Sequence, residues 1–134
     1  MPHLIMYCLD SDVIIDFMRG DEGIAGKIRK MLGSSIHITT ITLCELFKGA
    51  YGAKNPEHEV KRMETLTSST ITATLDVRSS RIFGIKSREL LLKGKTIGVP
   101  DIMIASICIA NDLVLITRNK KHFEHITGLQ ADYW

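Results

Sequence analysis

Leu4-Ile5-Met6-Tyr7-Cys8-Leu9, closed by Asp10-Ser11-Asp12, is the stretch whose reading decides the fold. A short run of uncharged, mostly apolar residues suits a strand covered on both faces, and strands of that kind belong to parallel sheets flanked by helices. The polar cluster after it predicts a turn at the carboxyl end, which makes this the first and central strand. Working outward, Asp12 is expected to cap a helix that begins at Val13-Ile14-Ile15 and ends at Gly20. A second helix is expected between Asp21 and Gly33. There Ile24, Ile28, Met31 and Leu32 recur at helical spacing and leave Lys27, Arg29 and Lys30 to face water.

The strand-then-helix unit then repeats. Ser35 to Thr39 reads as a strand, and Thr40 or Thr42 offers a cap for a helix containing Leu43, Glu45, Leu46 and Phe47. Asn55-Pro56 marks a turn into a helix with Val60, Met63 and Leu66 on one side. Thr70 to Leu75 alternates with Ile71, Ala73 and Leu75 on one face, a third strand. Asp76 to Lys93 reads as a long helix in spite of Gly84, which costs about 1 kcal/mol, and Lys93-Gly94-Lys95 stops it. Periodicity leaves Ile102 to Ala110 undecided, because Ser106 is its only polar residue. Leu113 to Ile116 is the better strand, so the alternation assigns Ile102 to Ala110 to a helix. Leu129 to Trp134 adds an edge strand. The expected architecture is a three-layer α/β/α sandwich around a mainly parallel sheet, with residues 1–134 as a single domain.

Composition bounds the function. At 134 residues, with 45% hydrophobic and 24% charged, the chain fits one water-soluble core and excludes a disordered or coiled-coil protein. Seventeen basic against fifteen acidic residues, a net +2, permits a polyanionic partner without demanding one. Cys8, Cys44 and Cys108 each lie in an apolar run, the pattern of buried reduced thiols in a cytoplasmic protein. The opening Met1-Pro2-His3 and the interruption at Asp10 do not form a secretory signal. Ile102 to Ala110 falls far short of the roughly 20 residues that a bilayer crossing requires. Aromatic residues are only 6% and form no stripe interleaved with basic ones, so no base-stacking platform is visible.

The acids carry the chemical signal. In parallel sheets the working groups sit past the carboxyl ends of the strands. Asp10 and Asp12 follow the first strand, Glu45 lies about one turn into the helix after the second, and Asp101 starts the helix before the fourth. Two carboxylates about 4 Å apart repel by about 4 kcal/mol at an effective dielectric of about 20, so three such pairs would consume a domain's whole stability. A cluster of this kind needs a cation, and hard oxygen ligands select Mg²⁺ or Mn²⁺. The reaction best served is hydrolysis of a phosphodiester by metal-activated water. Helix capping competes as an explanation for Asp12 and Asp101. It does not account for Glu45, a charge set among Leu43, Cys44, Leu46 and Phe47.

Four blocks carry a family likeness: Leu9-Asp10-Ser11-Asp12-Val13-Ile14; Ile38 to Leu46 with Gly49; Gly94, Ile97 and Asp101-Ile102-Met103-Ile104-Ala105; and Leu115-Ile116-Thr117-Arg118-Asn119 with Phe123. In these blocks, and in Gly128-Leu129 and Trp134, the chain resembles PIN-domain nucleases of the VapC toxin type. The resemblance implies a metal-dependent endoribonuclease whose acidic pocket is Asp10, Glu45 and Asp101. Asp10 and Asp101 would ligate Mg²⁺ directly, and Asp12, Thr117 and Asn119 would support the site. It also implies a cognate antitoxin and a homodimer. Asn119 and His122 stand where relatives often carry acids, which favours one firmly held ion. Arg118, Lys120 and Lys121 could draw in an RNA backbone, a solvated basic loop being the competing reading. His122 and His125, three apart, could bind a soft metal, but they read as ordinary surface histidines.

Two other functions compete. Leu9 to Ile14 also approximates the nucleophile loop of haloacid-dehalogenase-type phosphatases, for which a covalent aspartyl-phosphate on Asp10 would be diagnostic. A catalytically idle binding module of the same fold, pairing with a partner helix, would neither be stabilised by Mn²⁺ nor cleave RNA.

Overall fold

A computed structural model describes residues 5–31 and 35–134. Leu4, Leu32 and Gly33, which the sequence reading assigned to elements, lie outside them. The strands are β1 Met6–Leu9, β2 Ser35–Thr39, β3 Ile71–Ala73, β4 Val114–Thr117 and β5 Ala131–Tyr133. The helices are α1 Ser11–Met18, α2 Glu22–Arg29, α3 Thr40–Tyr51, α4 Pro56–Ser69, α5 Val77–Leu92, α6 Val99–Ala110 and α7 Lys120–Phe123. The sheet runs β3-β2-β1-β4-β5 and every neighbouring pair is parallel. The chain builds outward from β1 on one side and then returns to the other, which makes the carboxyl ends of β1 and β4 the point where the strand order reverses.

Side-chain alternation sorts the core onto two faces. Cys8 and Leu115 point into a cluster with Leu90 of α5 and Ile104, Ile107 and Cys108 of α6. Their neighbours Leu9 and Ile116 point the other way, among Val13 and Ile14 of α1, Leu46 of α3 and Met63 of α4. Helix α6 is buried nearly all round, squeezed between the sheet and α5, which explains why its sequence lacks an amphipathic period. Its Ser106 is satisfied internally, donating to the Ile102 carbonyl at 2.6 Å.

The expected caps shift by a few residues. Asp10, not Asp12, caps α1, and Thr39, rather than Thr40 or Thr42, caps α3. In both cases the chain passes from strand to helix without a separate turn. The residue that ends the extended segment keeps β-region dihedrals and becomes the cap (Asp10 φ −77°, ψ 161°; Thr39 φ −76°, ψ 153°). Strand β3 stops at Ala73; it is a sheet edge with Ile71 exposed, and Leu75 leaves it to pack against the core cluster beneath α5 and α6. Cys44 is exposed, because α3 buries Thr42, Leu46 and Ala50 and so turns position 44 outward. The stops at Gly20 and Gly94 hold as expected, both in the left-handed region, at φ 86° and 69°. Among the described residues no helix is long and apolar enough to cross a membrane.

Thr39 is wholly buried; its hydroxyl accepts from the Thr42 amide and donates to the Thr42 hydroxyl, both at 3.1 Å. Thr39→Ala should lower stability by about 1–2 kcal/mol and Thr39→Ser by clearly less, read from urea unfolding midpoints. Equal losses would show that methyl packing, and not the cap, holds the start of α3.

Candidate active site

The carboxylate of Asp10 sits at the carboxyl end of the central strand, only 3% exposed. Its two oxygens take different partners: Oδ1 accepts from the Ser11 amide at 2.9 Å and Oδ2 from the Thr117 hydroxyl at 2.7 Å. Thr117, at the end of β4, is itself held by accepting from the Asn119 amide at 3.1 Å. Burial pushes the Asp10 pKa up from 3.8 to about 6; the Thr117 and Ser11 hydrogen bonds pull against this, and the charges of Asp12 and Asp101 add to it. Among the described residues no lysine or arginine side chain pairs with Asp10, Asp12 or Glu45.

Glu45 projects from α3 to the same rim. The Ser11 hydroxyl donates to its Oε2 at 3.3 Å. Partial burial raises its pKa, the Ser11 bond opposes the rise, and the nearby charges of Asp101 and Asp12 reinforce it. Asp101 lies in the first turn of α6, where a negative charge also complements the helix amides. The structure therefore brings Asp10, Asp12, Glu45 and Asp101 into one another's fields from three elements. Asp12 is not the cap expected of it. Its Oδ1 accepts from Val13 and its Oδ2 from the Arg118 amide, at 2.8 and 2.9 Å.

The basic residues behave differently from expectation. The Arg118 guanidinium donates to Asp16 at 2.6 Å, which raises its pKa and ties the end of β4 to α1. Lys120 and Lys121 belong to the short helix α7, not to a loop, because buried Phe123 anchors that turn on α6. The same turn brings His122 to Asp101, Nδ1 to Oδ2 at 2.9 Å, so His122 is no stray surface histidine. His125 contacts Glu124. Sequence reasoning missed the contacts of His122, Ser11 and Asp16; Ser11 is wedged between two candidate acids and His122 stands where relatives often carry an acid, whereas Asp16 had no signal in the sequence.

The donor set is one of hard carboxylate oxygens around a buried acid, which suits Mg²⁺ or Mn²⁺. Among the described residues no three His, Cys, Asp or Glu side chains close into a cage. That arrangement fits an ion held by one or two carboxylates and otherwise by water.

The PIN domain family matches residues 7–129. Ribonuclease VapC1 of Haemophilus influenzae strain R2866 is 32% identical over 132 residues, 97% of this chain and 98% of that protein. VapBC2 from Rickettsia felis, solved bound to a DNA fragment from its promoter, superposes with a TM-score of 0.91 at 25% identity, covering 97% of this chain and 99% of that one. VapBC-1 from nontypeable Haemophilus influenzae gives 0.88 at 32% identity, over 97% and 98%.

In protein stripped of divalent ions with EDTA, the raised pKa of Asp10 makes its charge a liability. The stability contribution of the protonated form is complete below about pH 4 and is lost as pH rises through about 6, a loss on the order of 3 kcal/mol. Asp10→Asn should thus match wild type near pH 4 and melt higher near pH 8. A stability difference that stays constant across that range would contradict the burial of a charge here.

Proposed function

The chain belongs to the PIN-domain family, and from that membership we propose that it is a Mg²⁺- or Mn²⁺-dependent endoribonuclease, the toxin of a toxin–antitoxin pair. The observation that carries the reading is the buried Asp10 carboxylate at the strand reversal, in the field of Asp12 and Asp101 and, among the described residues, without a lysine or arginine side chain paired to it. Asp10 and Asp101 would hold the ion, with Glu45 completing the site through water. When bound, the ion supplies Lewis acidity to a phosphodiester and lowers the pKa of attacking water. Thr117 and the Ser11 amide fix the direction of Asp10's lone pairs, and the Ser11 hydroxyl orients Glu45. Asn119 supports Thr117 through its backbone amide. Lys120 and Lys121 remain available to an RNA backbone.

The antitoxin finds a place in the same reading. A cavity of about 530 Å³ opens between α1, α3 and α4, lined by Ile15, Met18, Leu46 and Met63, and it reaches Glu45. An apolar helix seated there would abut the acidic rim. Val77, Ile85, Leu91 and Leu92 expose apolar surface along α5, which suits a homodimer. The whole of residues 1–134 serves as one nuclease domain, at work in the cytoplasm.

Asp10→Asn and Asp101→Asn should each reduce RNA cleavage about a thousandfold, roughly 4 kcal/mol of barrier, while keeping the wild-type circular dichroism. Mn²⁺ at millimolar concentration should raise the melting temperature of wild type but not of Asp10→Asn. Full activity in either variant removes the metal assignment. A phosphoenzyme trapped on Asp10 would move the chain to the phosphatase reading.

A further inference from the structure

A second cavity, of about 370 Å³, lies on the α2 side of the sheet, lined by Tyr7, Lys27, Lys30, Met31, Asp132, Tyr133 and Trp134. Its aromatic faces are Tyr7 and Trp134, from the two ends of the chain, which is why no stripe shows in the sequence; the Tyr133 ring packs on the opposite, α6, face of the sheet. A cation stands over one of them: the Lys27 Nζ lies 5.2 Å from the Trp134 ring centre. At one edge the cavity is tied to the acidic rim through the backbone of Trp134. The Trp134 amide donates to the Thr117 carbonyl at 2.9 Å, and the Thr117 hydroxyl holds Asp10.

We propose that this cavity is a substrate subsite that takes a nucleotide flanking the scissile phosphate, Lys27 and Lys30 binding its phosphate and the aromatic floor its base. Two features select single-stranded RNA over a protein segment. Two lysines against the one acid, Asp132, favour a polyanion. The faces of Tyr7 and Trp134 beside the charge suit unpaired bases, which stack without regard to sequence. The inference rests on the ribonuclease reading, since it assigns the neighbouring strand to that enzyme's substrate.

Trp134 is the only tryptophan, so its emission reports on the cavity directly. A short single-stranded oligoribonucleotide titrated into wild-type protein in EDTA should change that emission saturably, and the apparent affinity should fall with salt. Lys27→Ala combined with Lys30→Ala should weaken binding at least tenfold and flatten the salt dependence by about 1.4 in log–log slope, two single-strand phosphate contacts. With divalent metal present, the same variant should raise KM and leave kcat unchanged. Lys93→Ala with Lys95→Ala, on the far end of α5, should do neither. The proposal is overturned if fluorescence anisotropy shows the RNA bound while Trp134 emission stays constant. It is overturned equally if heparin reproduces the emission change in full, or if the Lys27/Lys30 variant cleaves with the wild-type KM. A wild-type protein that cleaves no RNA at any metal concentration would instead sink the ribonuclease reading, whatever the emission shows.

Discussion

The burial of one carboxylate at the end of the central strand is the constraint around which the rest is arranged. Asp10 must be there to serve as a cap for α1, yet the same position places its charge where solvent cannot screen it. The fold meets this with two hydrogen-bond donors from different elements, the Ser11 amide and the Thr117 hydroxyl. These recover part of the lost hydration and leave the remainder as a raised pKa. An acid that the fold only partly satisfies is predisposed to accept a cation.

This strain is possible because strand order reverses between β1 and β4. Helices leave the two strands in different directions at that place, opening a rim onto which α1, α3 and α6 each contribute a side chain. Arg118 braces the rim from outside: its amide takes Asp12 and its guanidinium takes Asp16. A residue that looked from its charge like a contact for substrate also holds two elements together. His122 is the converse case, a side chain read as an ordinary surface histidine that the fold delivers to Asp101.

Much of the fold was legible because the elements are short and punctuated. Gly20, Pro56, Gly94 and the polar cluster after Leu9 mark boundaries by local backbone chemistry, which neighbours do not override. Helix α6 was assigned by alternation alone, and the reason its own pattern was silent is that both its sides are covered. The cap positions were misplaced because capping depends on dihedral angles, and Asp10 and Asp12 are equivalent as residue types. The four acids could be named in advance, since Asp10, Asp12 and Asp101 stand next to a strand end or a helix start and Glu45 is a charge inside an apolar run. The aromatic cavity could not, since Tyr7 and Trp134 meet only after the sheet is assembled.

The three cysteines have different fates in this fold. Cys44 faces solvent, whereas Cys8 on β1 and Cys108 on α6 are wholly enclosed in the same cluster, and Cys8 pushes the Cys108 thiol up. An alkylating reagent would therefore modify one sulfur at once and reach the other two only when the sheet parts from α6. The lag between those two reactions would time the opening of the interior, with no added probe and no change to the chain.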